Sequence, residues 1–437
     1  IFRNHNKLDP VILFSDFVKA FSAFAIDIIE LLSISKDQCN DLKSKRRRAQ
    51  MLSATQILQK SISILITSSK TCMTHHNCLL AKENRDTVFC QIRRAMDLLH
   101  FVVKDCIFDS VWLARSEKPS FLKTTETGTV FSTLNRFSHL IDTLRPKQSA
   151  TGSNTNCITN NNEANVYNPY LTQKDSDNTT YDNNEAERHS LLKSNIYLKD
   201  NSTWLITDAD PVLVAEINEE ILGAFDKLLE KTHDFTDSAY TSHENRENIL
   251  MLCERCKQDL YVYLNYINNN QQWATKVIDN QINTIIKDIA NLSNQLVSSV
   301  ADQMYELYYS LKMSADVVNN FQNLVFRHDF DNLQTEMNKF HEYCEHITEV
   351  CKLLQHIAFN ETLQVQSKCL LINLRIYGPQ VLLAIKIMCK YPSSIPATEN
   401  LNAFIDMWNW LTTEITTLAQ TILESSSLVR ERPTNST

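Results

Sequence analysis

Four side chains of the types that bind zinc, Cys72, His75, His76 and Cys78, fall within seven residues. Zinc takes thiolates and imidazoles in a tetrahedral shell, but structural sites usually set two ligands from one turn against two from a distant segment. One short tract rarely closes that shell, so a zinc-binding helical protein organised at Cys72–Cys78 is the alternative reading and not the leading one. Cys253 and Cys256 form a CxxC. A redox pair of that spacing belongs beside a βαβ unit, whereas this one lies inside a helical period and reads as two core thiols. His341, Glu342, Glu345 and His346 approach the zinc-protease pattern, but that pattern needs histidines four apart and these are five apart. The second imidazole would therefore sit about 100° off the required face. The run Lys43, Lys45, Arg46, Arg47, Arg48 has the charge to meet an acidic lipid or an import receptor, and equally the character of a solvated helix face. No Ser/His/Asp or Cys/His set stands out. No catalytic, cofactor-binding or metal residue is assigned.

The elements that would position any site are helices. Among 437 residues there are only 4 glycines and 9 prolines, against about 12% for the two together in ordinary proteins, so the turns of a multi-stranded sheet are mostly missing. The glycines are too scattered to write a GxGxxG or Walker-type phosphate loop. A formal charge of −8 argues against wrapping nucleic acid. The most apolar stretch, Val11 to Ile34, carries Asp16, Lys19, Asp27 and Glu30, too many charges for a transmembrane segment. Twelve scattered cysteines read as reduced thiols in the cytosol. The chain begins at Ile1, not Met, and no secretory signal pattern opens it.

Asp9 and Pro10 have the form of a helix start, and so do Asp210 and Pro211. Amphipathic periods predict helices from that first start to about Ile34, then about Gln38 to Thr74, Lys82 to Asp105 and Thr129 to Leu144. Residues 146–205, dominated by Asn, Ser, Thr and Asp, read as a disordered insert. Helices resume from Pro211 to about Asp237, and Thr241 with Glu244 has capping-box spacing for a helix to about Ile267. Ile278, Ile282, Ile285, Ile289, Leu292, Leu296, Val300, Met304, Leu307 and Leu311 then keep the period for some nine turns, longer than most globular helices. Further helices are expected at about Phe330–His356, Gln364–Lys390 and Thr398–Ser426. Pro379 should kink or restart the second of these. No β-hairpin is expected.

Four segments carry a resemblance: AQMLSATQILQK (Ala49 to Lys60), SKTCMTHHNCLLAKENRD (Ser69 to Asp86), DFTDSAYTSHENRENIL (Asp234 to Leu250) and KYPSSIPATENLNAFIDMWNW (Lys390 to Trp410). Together, and in this order, they resemble the α-catenin/vinculin family, the last two its α-catenin-like branch, across nearly the whole chain except the Asn-rich insert. The resemblance implies an all-α protein of tandem up-and-down four-helix bundles sharing long helices, to which the composition adds a disordered Asn-rich insert. Its expected parts are a partial N-terminal bundle at 1–106, a middle bundle at 107–312 interrupted by 146–205, and at 313–437 a second middle bundle with the first helix of the next.

By the same resemblance the function is that of a non-enzymatic cytoplasmic scaffold in cell adhesion, actin linkage and Rho signalling, placed at the cytoskeleton and the cell-junction periphery of the plasma membrane. Its expected partners are junctional catenin and cadherin components, vinculin, the actin cytoskeleton, or a Rho guanine-nucleotide exchange factor. The tail-like actin domain and most of the β-catenin-binding region have no counterpart in the matched segments. The helix from about Asn245 to Ile267 takes the place of the family's cryptic vinculin-binding helix, with an apolar stripe of Ile249, Leu252, Cys253, Cys256, Leu260, Leu264 and Ile267 as the expected partner-binding residues. Asp259, Tyr261 and Tyr263 depart from the residues expected there in α-catenins. Burying such a stripe is worth roughly 10–20 kcal/mol gross, before chain entropy, so its exposure requires force or a competing groove.

Overall fold

Apolar residues at steps of three and four become helices along most of the chain. The computed structural model describes residues 1–8, 14–103, 129–143, 197–199, 203–205, 211–268 and 273–430. In chain order the elements are α1 (Phe2–Leu8), α2 (Phe14–Asp41), α3 (Lys45–Thr74), α4 (Leu79–Val103), α5 (Val130–Thr143), β1 (Tyr197–Lys199), β2 (Thr203–Leu205), α6 (Pro211–Thr236), α7 (His243–Asn268), β3 (Trp273–Ala274), α8 (Thr275–Ala301), α9 (Met304–Phe326), α10 (Phe330–Ile357), α11 (Glu361–Lys390) and α12 (Ile395–Arg430). Short polar side chains fix several starts by accepting an otherwise orphaned amide. Ser44 takes the amide of Arg47 at α3, Asn360 that of Leu363 at α11, and Ser394 that of Ala397 at α12.

Residues 1–127 and 303–422 form one compact unit, and residues 128–302 with 423–437 form another. In the first unit α3 pairs with α4, α9 with α10 and α10 with α11, while α11 also lies against α3 and α4. Trp408 of α12 is fully buried there; its indole donates to Ser314 Oγ at 3.2 Å and its ring meets Phe340 edge-on. Three buried amides link three helices. Asn84 on α4 donates to the backbone and side-chain oxygens of Gln380 on α11 and accepts from Asn400 on α12. Ser61 and Tyr377 share a buried hydrogen bond of 2.9 Å between α3 and α11. Gly378 marks a close approach: a Cβ there would stand 3.3 Å from Cys344 Sγ and 3.4 Å from the Trp408 ring.

In the second unit α5 packs on α6, α6 on α7, α7 on α8 and α8 on α5, closing a four-helix bundle. Phe137, Phe225, Phe235, Ile249, Leu260, Ile282, Ile285 and Leu292 fill it.

Several expectations are corrected. β1 pairs antiparallel with β2, and β2 with β3, so a hairpin exists where none was expected. The rest of the insert at 146–205 lies outside the described residues, as do Asp9, Pro10 and Asp210. The run from Ile278 to Leu311 keeps its apolar period but not one helix, since Asp302 and Gln303 form a turn between α8 and α9. The period reports which face is buried and is blind to a break that preserves that face. The helix expected from Gln38 is split at residues 42–44, so residues 38–41 end α2 and Ser44 caps α3. α11 continues through Pro379 without a restart; the ring withholds one N–H from the Arg375 carbonyl, and the packing on both sides holds the helix together. α11 is also long and apolar enough to cross a bilayer by length and composition, and much of its most apolar window is buried in the protein.

Candidate partner-binding helix

α7 begins one residue later than the expected capping box. Ser242 is the cap, accepting the Asn245 amide through its hydroxyl and the Arg246 amide through its carbonyl. Thr241 is buried instead. Arg246 reaches back to donate to the Ser238 carbonyl at 3.0 Å, tying the first turn to the loop before it.

Of the stripe, Ile249, Cys253, Cys256, Leu260 and Leu264 are buried in the bundle, and Leu252 is half-buried at its edge. The side chain of Ile267 lies outside the described residues. Tyr263, set apart in the sequence as a departure, belongs to the buried stripe as well; it lies three residues after Leu260 and seven after Cys256, so the period itself could have found it. Tyr261 is exposed, together with Leu250, Met251 and Val262 on the outer face.

A polar seam runs beside the apolar one. Asn245 donates to Asp302 at 2.9 Å and accepts from Gln295 at 2.8 Å, and Gln281 donates to the Asp259 carbonyl at 3.1 Å. Arg255 pairs with Asp288 at 3.1 Å, and Asp288 is fully buried although Arg255 is largely exposed. Neither Asp288 oxygen has a well-directed hydrogen bond among the described residues. Burial first, then the neighbouring Asp259 carboxyl, push Asp288 above the usual carboxylate range, while Arg255 and Asn291 oppose this. The contact is a costly one in the seam between α7 and α8: a buried carboxylate with one partially solvated partner is costly to keep ionised.

The thiols on this helix are inert by the same physics. Burial, aided by Asp288, Cys253 and Asp259, raises the Cys256 thiol to about 12, and burial raises Cys253 despite its contact with Thr232. Both are free, as expected for core thiols and not a redox pair.

The zinc alternative is corrected by placement. His75 stacks on Tyr391 at 3.8 Å and shares a hydrogen bond with Ser394, Cys72 and Cys78 enter an apolar cluster with Ala81, Ile387 and Ala397, and His76 is exposed. Among the described residues no three His, Cys, Asp or Glu side chains gather in a metal-binding group. His341 is exposed and pairs with Glu345, whereas His346 is buried against Ser310, so the two imidazoles face apart as their spacing requires. The basic run lies at the α2–α3 junction, where Arg48 donates to the Leu42 carbonyl.

Packed helices with an apolar helix stripe held inside a bundle define an all-α helical-bundle protein, and a family model described as Vinculin family matches residues 8–432. The chain belongs to the vinculin family. It is similar to alpha-catulin from Homo sapiens and from Mus musculus, each 26% identical over 419 residues, which cover 95% of this chain and 47% of the relative. The chain thus spans about half the length of the curated relatives it matches. Its fold also resembles a solved vinculin homolog from a sponge, with a TM-score of 0.54 and 10% identity over 97% of this chain and 43% of that one.

Proposed function

We propose that this chain is a non-enzymatic cytoplasmic scaffold in cell adhesion that binds protein partners through helix and groove surfaces, with α7 as its releasable partner-binding element. The observation that carries the reading is α7 itself: an apolar stripe turned inward, beside a polar seam containing the poorly partnered Asp288. Such a helix, once released, presents anchors at i, i+4 and i+7 to a hydrophobic groove. In this reading residues 107–312 are the switchable module and 1–106 and 313–437 flank it. The family resemblance supports junctional catenin and cadherin components, vinculin and actin as partners. The resemblance to the α-catenin-like branch adds a Rho guanine-nucleotide exchange factor as the alternative partner.

The test is affinity purification from native cells with the whole chain, Leu260→Asp/Leu264→Asp, and Met251→Asp as an outer-face control. Recovery of cadherin–catenin components, vinculin or actin identifies a junctional linker. Recovery of a Rho exchange factor without them identifies a signalling scaffold. If the double variant keeps every partner, α7 is not the binding element.

A further inference from the structure

Away from α7, in the first unit, a cavity of about 190 Å³ opens between α3, α4 and α11. Its apolar wall includes Ala54 and Ile57 from α3 and Ala95 and Leu98 from α4. For scale, an apolar cavity of about 150 Å³ accommodates benzene. The polar part of the lining is unusual in what it leaves unpaired. Gln91 is 4% exposed, lines the cavity and makes no hydrogen bond among the described residues. Asn373 donates to the Cys369 carbonyl, but its own oxygen is buried without a partner. The Asn373 oxygen is a buried acceptor left unsatisfied, which costs free energy and is completed by a donor such as water; the Gln91 side chain, reaching both the cavity and the neighbouring depression, keeps an N–H free to donate to a ligand.

The charge at the mouth has one sign. Arg94 on α4 and Arg375 on α11 both line the cavity, neither has an ion-pair partner among the described residues, and no carboxylate belongs to the lining. A neighbouring depression shares Gln91 and Arg94 but is lined by Lys82, Glu83 and Asp86 as well, so its charge is mixed whereas that of the cavity mouth is not. Guanidinium groups there suit a carboxylate, which accepts two parallel N–H bonds from one fork.

We propose that this cavity binds a small amphipathic anion, an aryl or short alkyl group seated against Ala54, Ile57, Ala95 and Leu98 with a carboxylate held at the mouth by Gln91, Arg94 and Arg375. The site does not depend on α7 or on any protein partner.

Benzoate is the probe, with acetate lacking the ring and benzyl alcohol lacking the charge, titrated against the whole chain by saturation-transfer NMR. A ligand of this size should bind with a Kd on the order of 1 mM. Acetate and benzyl alcohol should each bind at least tenfold more weakly. Arg94→Gln/Arg375→Gln should weaken benzoate at least tenfold and leave benzyl alcohol unchanged. Ala95→Leu should abolish benzoate binding without lowering Tm, because the added side chain fills the void; Ala54→Met fills the same space from α3 should the first variant fail to fold. Benzoate binding no tighter than acetate or benzyl alcohol, binding indifferent to the arginine pair, or binding that persists in a folded filled variant would each overturn the proposal.

Discussion

Replacing Ile285 by Ala tests whether the core of the second unit is what restrains α7. Ile285 is fully buried on α8, the helix that packs along α7, and the substitution leaves the surface of α7 itself intact. Removing a buried Ile side chain costs about 2–5 kcal/mol, the lost transfer energy plus the residual cavity. A central value of about 3 kcal/mol is a little over a hundredfold in the opening equilibrium, and it is survivable for a unit of ordinary stability. Native-state hydrogen exchange should show α7 amides between residues 249 and 264 losing protection by about that factor, while α11 amides in the other unit are unchanged. A partner that captures the released helix should bind tighter by the same factor, since its apparent Kd is the intrinsic one divided by the open fraction. Met251→Ala on the exposed face should move exchange by no more than about 0.5 kcal/mol equivalent. Should α7 protection collapse as calculated while the affinity for every partner stays put, release of α7 is not how this chain binds. Unchanged protection would refute the claim that this core holds the helix at all.

Asp288→Asn should alter the pH dependence of the second unit. A carboxyl raised in the folded state contributes stability that is present below its unfolded value, about 4, and is lost as pH rises through the raised folded value, so wild type should lose urea resistance over that window beside Arg255, Asp259 and Asn291 and the variant should lose less. Asn84→Ala should destabilise the first unit by roughly 3–5 kcal/mol, because it strands the Gln380 side chain and the Asn400 amide in the core; a urea midpoint shift corresponding to under about 1 kcal/mol would show that the network is replaceable. In a thiol-reactivity assay on native protein, exposed Cys90 should be labelled first among the described cysteines and Cys253 and Cys256 only on unfolding; early labelling of Cys256 would mean that α7 opens readily.

Helix existence was legible because burial writes a three-and-four period into the residues, and α7 was found that way with five of its stripe positions inside. What escaped the period has physical reasons. Asp288 is invisible to it, because a charged residue inside an apolar run reads as facing solvent until an arginine from the next helix is placed beside it. Ser242 and Thr241 are both competent caps, and which one serves depends on the loop anchored by Arg246. The turn at Asp302 and Gln303 and the unbroken passage of α11 through Pro379 are both decided by neighbouring helices. The cavity beside Gln91 could not be read at all, since Ala54, Ala95 and Asn373 each look like ordinary helix residues and become a site only when three distant segments enclose them.

Ser61 and Tyr377 bond across 316 residues, and so do Asn84 and Asn400. During synthesis at about 5–20 residues per second, α3 and α4 therefore emerge roughly 15–60 s before the helices that cover them. The four packed helices α5–α8 of the second unit all fall between residues 128 and 302, and only the end of α12, from residue 423, joins that unit later. A ribosome paused after residue 302 would thus hold all four helices of that bundle behind a half-clothed helical hairpin, with the inner faces of α3 and α4 open to chaperones until α11 and α12 arrive.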